Sequence, residues 1–249
     1  MKGARQEDAT GRRIQRYARG ARRLGLSAIQ PGYYERHNAV PFYRHISETG
    51  IAFVHIPKAA GSSLSDAVYG AQIGHLRWYD IYWSNPWRYR RLLKFAICRD
   101  PLERFASAYY FLKAGGMNDA DRAYGEAVLR KTASIDDFAK SLADEEMRRI
   151  VLRKVHFHSQ TSFVCDRRGR VRIDYLIDFA ALESGLRTIL PQSTMSRIRS
   201  VNTGPKRASR DAELSSEGQD IVRKIYDCDF RLMKLARSQP VYGVALPAR

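Results

Sequence analysis

The amino-acid sequence predicts an α/β fold in which helices cover a central parallel sheet. Three observations predict it. Two short, continuously apolar runs, Ile51–Ile56 and Leu93–Cys98, read as buried parallel strands. Each is followed by a loop and then a helical pattern, which is the repeating unit of a parallel sheet. The 249 residues are 44% apolar and 28% charged, the composition of a globular chain long enough to bury a sizeable core.

The elements follow in order. Within residues 1–32, Lys2, Arg5, Arg12, Arg13, Arg16, Arg19, Arg22 and Arg23 face only Glu7 and Asp8, while Ile14, Tyr17, Ala18, Ala21 and Leu24 recur at helical spacing. This predicts a basic amphipathic extension that packs on the domain or lies on an anionic membrane. Gln30-Pro31-Gly32 ends it, and residues 33–249 form the main domain. The first strand is bounded by Gly50 and Pro57, and a helix over Gly61–Tyr69 follows, with Leu64, Ala67 and Val68 on one face. After the second strand, Asp100 is a good N-cap and Pro101 a good first helical residue; Leu102, Phe105, Ala106, Tyr109 and Leu112 form an apolar stripe that Gly115-Gly116 closes. Further amphipathic segments run through Ile135–Leu142 and Met147–Val155. Phe163–Cys165, the turn at Asp166–Gly169 and Val171–Ile173 read as a hairpin, Tyr175–Phe179 as a strand, and residues 180–190 and 215–236 as helices.

Lysine and arginine number 43 against 26 acidic residues, a net charge of +17. Such a balance favours a polyanionic partner: nucleic acid, an anionic membrane, or a small substrate dense in phosphate or sulfate. The three cysteines are far apart and suggest neither a zinc site nor a disulfide scaffold, so a reducing compartment is expected. No run approaches the roughly 18 apolar residues of a membrane span, and the N-terminus lacks the apolar core of a secretory signal. The choice among partners falls to motifs.

The most informative segment is His55-Ile56-Pro57-Lys58-Ala59-Ala60-Gly61-Ser62-Ser63-Leu64, between the first strand and its helix. Small residues let successive backbone N–H groups converge on an anion at a helix N-terminus, with Lys58 adding a positive charge and Ser62 and Ser63 adding hydroxyl donors. No Gly-Lys-Ser/Thr closes the loop, so it is not a nucleotide triphosphatase signature. A second motif, Cys98-Arg99-Asp100-Pro101-Leu102-Glu103-Arg104-Phe105-Ala106-Ser107, starts at the carboxyl end of the second strand, where open α/β sheets bind ligands. Ser107 lies about two helical turns beyond Arg99, off the apolar stripe, so the two can grip one phosphate from two directions. Arg104 helps them or sits in solvent.

The Lys58 loop resembles the 5′-phosphosulfate loop of sulfotransferases that use 3′-phosphoadenylyl sulfate (PAPS), in the form of the carbohydrate branch that includes the chondroitin, HNK-1 and heparan-sulfate 2-O enzymes and bacterial relatives. Arg99-Asp100-Pro101 with Ser107 resembles that family's 3′-phosphate motif. His156–Gln160, Cys165, Asp174–Ile177, Val201-Asn202 and Tyr226–Phe230 resemble its central and C-terminal regions. The resemblance implies a P-loop-like three-layer α/β/α sandwich. It assigns Lys58, Ala59, Ala60, Gly61, Ser62, Ser63, Arg99 and Ser107 to PAPS and its product PAP. The acceptor it implies is a carbohydrate, with no specific nucleic-acid partner and no metal. The sequence departs from the family's animal Golgi members in showing no membrane anchor, so a cytoplasmic enzyme of bacterial type is expected, with peripheral contact to the inner membrane through the basic N-terminal helix left open.

Sulfuryl transfer gains from a cation near the departing phosphate and a base for the acceptor hydroxyl. Lys58 is the cation. His75 is the first choice of base, by resemblance to the heparan-sulfate 2-O branch; His156 and His158 stand behind it, and His55 further back. Between His75 and Arg91 lie Trp78, Tyr79, Tyr82, Trp83, Trp87 and Tyr89, interleaved with Arg77, Arg88, Arg90 and Arg91. These either stack on sugar rings, with Arg77, Trp78, His156 and His158 binding the acceptor, or pack on the core. A P-loop kinase-like phosphotransferase and a basic nucleic-acid-binding module remain as alternatives.

Overall fold

The computed structural model describes residues 45–198, 214–236 and 242–247. The expected basic helix within residues 1–32, and Val201-Asn202, lie outside the described residues. Among the described residues three parallel strands form the sheet: β1 (Ile51–Val54), β2 (Leu93–Cys98) and β3 (Tyr175–Asp178), in the order β1-β2-β3. Phe53 pairs with Phe95 and Val54 with Ala96; Ala96 in turn pairs with Leu176 and Cys98 with Asp178. β2 is central and almost wholly buried, as its unbroken apolar run predicts.

The helix α1 (Gly61–Tyr69) follows β1, and α2 (Trp78–Ser84) and α3 (Pro86–Tyr89) lead into β2. The helix α4 (Pro101–Lys113) leaves β2, with Asp100 at its N-cap accepting the N–H groups of Leu102 and Glu103. Gly115 and Gly116, both at positive φ, follow its end. Next come α5 (Asp119–Ala127), α6 (Ile135–Ser141), α7 (Glu145–Val151) and the short α8 (Thr161–Val164). After β3 come α9 (Leu182–Ile189), α10 (Gln192–Met195), α11 (Ser216–Ile225) and α12 (Asp227–Leu235). The architecture is a three-layer α/β/α sandwich. No described helix is long and apolar enough to cross a membrane.

Two apolar clusters hold these parts. One surrounds the sheet, with Phe53, Phe95, Leu176 and Ile177 at its centre; the other is helical, with Leu102, Phe105, Tyr109, Phe138, Phe157 and Tyr226. The α4 stripe belongs to the second, so α4 joins the end of β2 to the helical half.

Two expectations need correction. Phe163-Val164 is helical, and only Cys165 and Val171 bridge across the predicted hairpin. Asp229 accepts the N–H groups of Gln160 and Thr161, which starts a helical turn where the apolar run alone reads as a strand. The predicted helix over 215–236 is two helices that meet at Tyr226, whose hydroxyl donates to Phe157 O.

Candidate active site

The loop after β1 turns on two left-handed residues, Lys58 (φ 67°) and Ala60 (φ 60°). A non-glycine residue pays roughly 1–2 kcal/mol to sit there, and such strain persists only where the surroundings impose it. The helix α1 that follows has no side-chain cap and no acidic residue in its first turn. Its leading N–H groups and the positive end of its dipole therefore face the loop with no capping side chain and no first-turn carboxylate to answer them. Gly61 is fixed by packing: a Cβ there falls 1.7 Å from the His55 ring. His55 is buried, stacks on Phe53 with centroids 5.7 Å apart, and closes the floor of the loop.

Lys58 reaches from this loop to α4, where its ammonium lies 3.8 Å from the centroid of the Phe111 ring. Phe111 is one helical turn beyond Ser107 and so on the same face. From Phe111 a row of rings runs back beneath the loop: His156 at 5.1 Å, His75 5.8 Å from His156, and His55 4.3 Å from His75. Burial lowers the His75 pKa to about 4 and that of His156 to about 3, and the Lys58 charge pushes both the same way. Burial takes His55 well below its ordinary value too. All three rings are therefore neutral at pH 7.

The two candidate bases are oriented differently. His75 Nδ1 lies 3.4 Å from His55 O; an N–H donated there leaves the lone pair on Nε2. His156 Nδ1 is buried without a hydrogen-bond partner, 3.9 Å from an Asp121 carboxylate that Lys154 holds at 2.7 Å. His158 is engaged on both sides: Arg77 donates to Nδ1 at 2.6 Å and Nε2 faces Arg153 O at 3.3 Å. That leaves His158 as an anchor for Arg77 rather than a proton acceptor.

Arg99 follows β2 directly. Its Nε pairs with Glu103 at 3.1 Å and its guanidinium lies 4.7 Å from the Phe179 ring centroid. The backbone at Arg99 is clamped by one side chain, Gln160, which accepts its N–H at 2.9 Å and donates to its carbonyl at 2.8 Å. Gln160 is in turn held by Asp229, through its own N–H at 2.8 Å. Arg104 is 1% exposed, donates to the carbonyls of His156 and His158, and pairs with Asp229 at 3.7 Å. The expectation that Arg104 helps bind phosphate or sits in solvent is thus corrected: it is a buried brace, because the carbonyls and Asp229 consume it. Burial raises the Asp229 pKa against the pull of Arg104 and the two N–H donors.

The Lys58 loop and Arg99 therefore stand at the carboxyl ends of two adjacent strands, with Ser107 on α4 one turn before Phe111 and with His75 and His156 close to the lysine. The aromatic segment does not join them. Trp78, Tyr79 and Tyr89 are buried, Tyr82 and Trp83 pack on the sheet cluster, and the Trp78 indole donates to Cys165 O. Trp87 is exposed, but it precedes β2 and so lies at the opposite end of the strands. Sequence reasoning missed Phe111, Asp121, Gln160 and Asp229 as parts of the site. Phe111 left a signal, as a large aromatic off the apolar stripe of its helix; Asp121 left none.

A sequence model described as "Sulfotransferase family" matches residues 44–235, a span that takes in the Lys58 loop, Arg99, Ser107 and all the histidines discussed above. No curated protein and no solved structure matches the chain.

Proposed function

The chain belongs to the sulfotransferase family, and from that premise we propose that it moves a sulfuryl group from PAPS to a hydroxyl of a carbohydrate. The observation that carries the reading is the uncapped start of α1 behind two left-handed loop residues, with an arginine directly after the neighbouring strand β2. An anion is the partner such a terminus lacks. Family membership also decides against the kinase-like alternative.

In this reading the loop N–H groups, Ser62, Ser63 and Lys58 surround the 5′-phosphosulfate, while Arg99 and Ser107 take the 3′-phosphate. The Glu103 contact occupies only Nε of Arg99, so its two terminal nitrogens point to a bidentate role. The acceptor oxygen forms a bond to sulfur in line with the S–O bond that breaks. The electron pair of that bond goes to the 5′-phosphate oxygen, where Lys58 and the loop meet the charge. The hydroxyl proton goes to Nε2 of His75. His75 and His156 are both neutral at pH 7, so the Nδ1 contact to His55 O, which turns the His75 lone pair to Nε2, is what supports that role over His156. Arg77 and His156 border the acceptor side.

A titration with adenosine 3′,5′-bisphosphate tests the donor. Loss of one charge-assisted contact is worth about 1.5–3 kcal/mol, so Lys58→Ala and Arg99→Ala should each weaken binding roughly 10- to 100-fold. Wild-type affinity in both variants overturns the donor assignment. A screen with labelled PAPS then tests the acceptor: label on glycans, lost in His75→Ala while PAP still binds, is expected. Label only on non-carbohydrate hydroxyls overturns the acceptor, and that same behaviour in His156→Ala instead moves the base.

A further inference from the structure

The amino-terminal end of the sheet carries a second concentration of charge, remote from the cradle. Two segments build it. In α3, Asn85 accepts the Arg88 N–H and the Arg88 side chain donates to Ser47. In the turn after α8, Asp166 accepts the N–H groups of Arg168 and Arg170, and residues 243–246 add to this turn through Gly243 N to Val171 O, Val171 N to Val244 O and Leu246 N to Gly169 O. The Tyr89 hydroxyl donates to Arg172 O and ties the two segments together.

This face is positive and apolar at once. Arg88, Arg90, Arg91, Arg167, Arg168 and Arg170 are exposed on it. So are Trp87 at 76%, Tyr242 at 47% and Val244 at 40%, three of the five large apolar side chains exposed among the described residues. The two carboxylates of these segments are turned to other work: Asp166 holds its turn and faces Arg172, and Asp174 pairs with the buried Lys94 at 2.9 Å. Exposed Glu48, beside Ser47, offsets one arginine.

We propose that this face docks on an anionic lipid surface, with Trp87, Tyr242 and Val244 entering the headgroup layer and the arginines meeting the lipid phosphates. Charge complementarity sets the sign of the partner, and the apolar members set its class. Indole and phenol rings settle at a bilayer interface, where one end is dry and the other wet. An aliphatic side chain such as Val244 gains from a lipid boundary and gains little from a sugar or nucleotide chain. Trp87 protrudes even with the Arg90 guanidinium 5.4 Å from its ring, which suits a plane rather than a cleft. The six residues of β2 separate this face from Arg99 by about 20 Å, so a docked enzyme keeps its donor cradle turned to water. The residues involved are distinct from the basic segment 1–32 and from the donor site, so the inference stands whether or not PAPS is the donor.

The test uses the full chain and vesicles of phosphatidylcholine with and without phosphatidylglycerol. Trp78 is buried and Trp83 half-buried, so a change in indole emission reports mainly on Trp87. Binding only to the phosphatidylglycerol vesicles is expected, with a blue shift that Trp87→Phe abolishes. The double variants Arg90→Gln/Arg91→Gln and Arg168→Gln/Arg170→Gln should each weaken vesicle binding on the order of 30-fold. An unchanged urea unfolding midpoint in every variant certifies the fold. Three results overturn the proposal: no preference for phosphatidylglycerol; binding that all these variants leave intact, which assigns it to residues 1–32; or a Trp87 response to dextran sulfate or single-stranded DNA without one to vesicles.

Discussion

The lysine loop and the arginine turn each follow a buried parallel strand and lead into a helix, yet they are held in opposite ways. The lysine loop is held by backbone conformation and close packing: Lys58 and Ala60 are left-handed, His55 fills the space over Gly61, and nothing caps α1. The arginine turn is held by side chains. Asp100 caps α4 twice, Gln160 clamps Arg99 at both backbone groups, and Asp229 holds Gln160. A helix whose first N–H groups are consumed by its own aspartate cannot offer them to a ligand. The structure thus leaves one terminus uncapped and closes the other, so that in the proposed reading the anion at Arg99 is met by the arginine itself and Ser107.

The sharpest way to break this contrast is Asp229→Ala. It strips the N–H groups of Gln160 and Thr161 of their acceptor and leaves Arg104 charged, buried and without its acid. Removing one partner of a buried pair costs about 3–5 kcal/mol, readable as a lower midpoint in urea. A cost below 1 kcal/mol would mean the arginine turn is not braced from α12. Next in size is Gly61→Ala, which drives a Cβ into the His55 ring. Overpacking of this kind costs about 1–3 kcal/mol, and the displaced loop should lose at least tenfold in affinity for adenosine 3′,5′-bisphosphate while Arg99 stays clamped. Unchanged affinity would show that the loop geometry does not matter to the anion.

The histidine row separates the regions by pH. His75, His156 and His158 have pKa values of about 4, 3 and 4, below the ordinary 6.5, with burial the leading cause in each. Between pH 4 and 6.5 the unfolded chain therefore binds more protons than the folded one, and stability falls as the pH drops through that window. Each such group contributes up to about 1.4 kcal/mol per pH unit. Thermal unfolding of wild type and His75→Gln at pH 7 and pH 5 measures it: the variant should lose less on acidification. An equal loss would place the acid sensitivity elsewhere.

Much of this contrast was legible in the sequence, and the reason is locality. β1, β2, the small-residue loop and the Asp-Pro start of α4 are written in consecutive residues, and all appear where patterning puts them. What could not be read is carried by contacts across distant parts of the chain. Gln160 meets Arg99, and Asp229 meets Gln160, with long stretches of chain between. The fate of Arg104 and the helical turn at Phe163 depend on that aspartate. The aromatic segment at 78–89 misleads for a related reason: interleaved rings and arginines look alike whether the rings face a ligand or a sheet, and only the packing of Trp78 and Tyr89 decides.

The smallest effects test the two helix starts directly, and they carry opposite signs. Asp100→Ala removes a cap that accepts two N–H groups and should destabilise by about 1 kcal/mol. Ala60→Gly relieves a left-handed φ of 60° that only glycine adopts without strain, and should stabilise by roughly 0.5–1 kcal/mol once the greater freedom of the unfolded chain is set against it. Neither change alters a group assigned to the donor's charges, so affinity for adenosine 3′,5′-bisphosphate should stay within a few-fold of wild type in both. The informative failure is on the Ala60 side. If Ala60→Gly gains stability and loses the ligand, the strain itself is what keeps the loop N–H groups aimed at the anion. The cradle would then be a preorganised device maintained at a standing cost, whereas the arginine turn, with Arg99 clamped at both backbone groups, α4 capped and no left-handed residue, carries none.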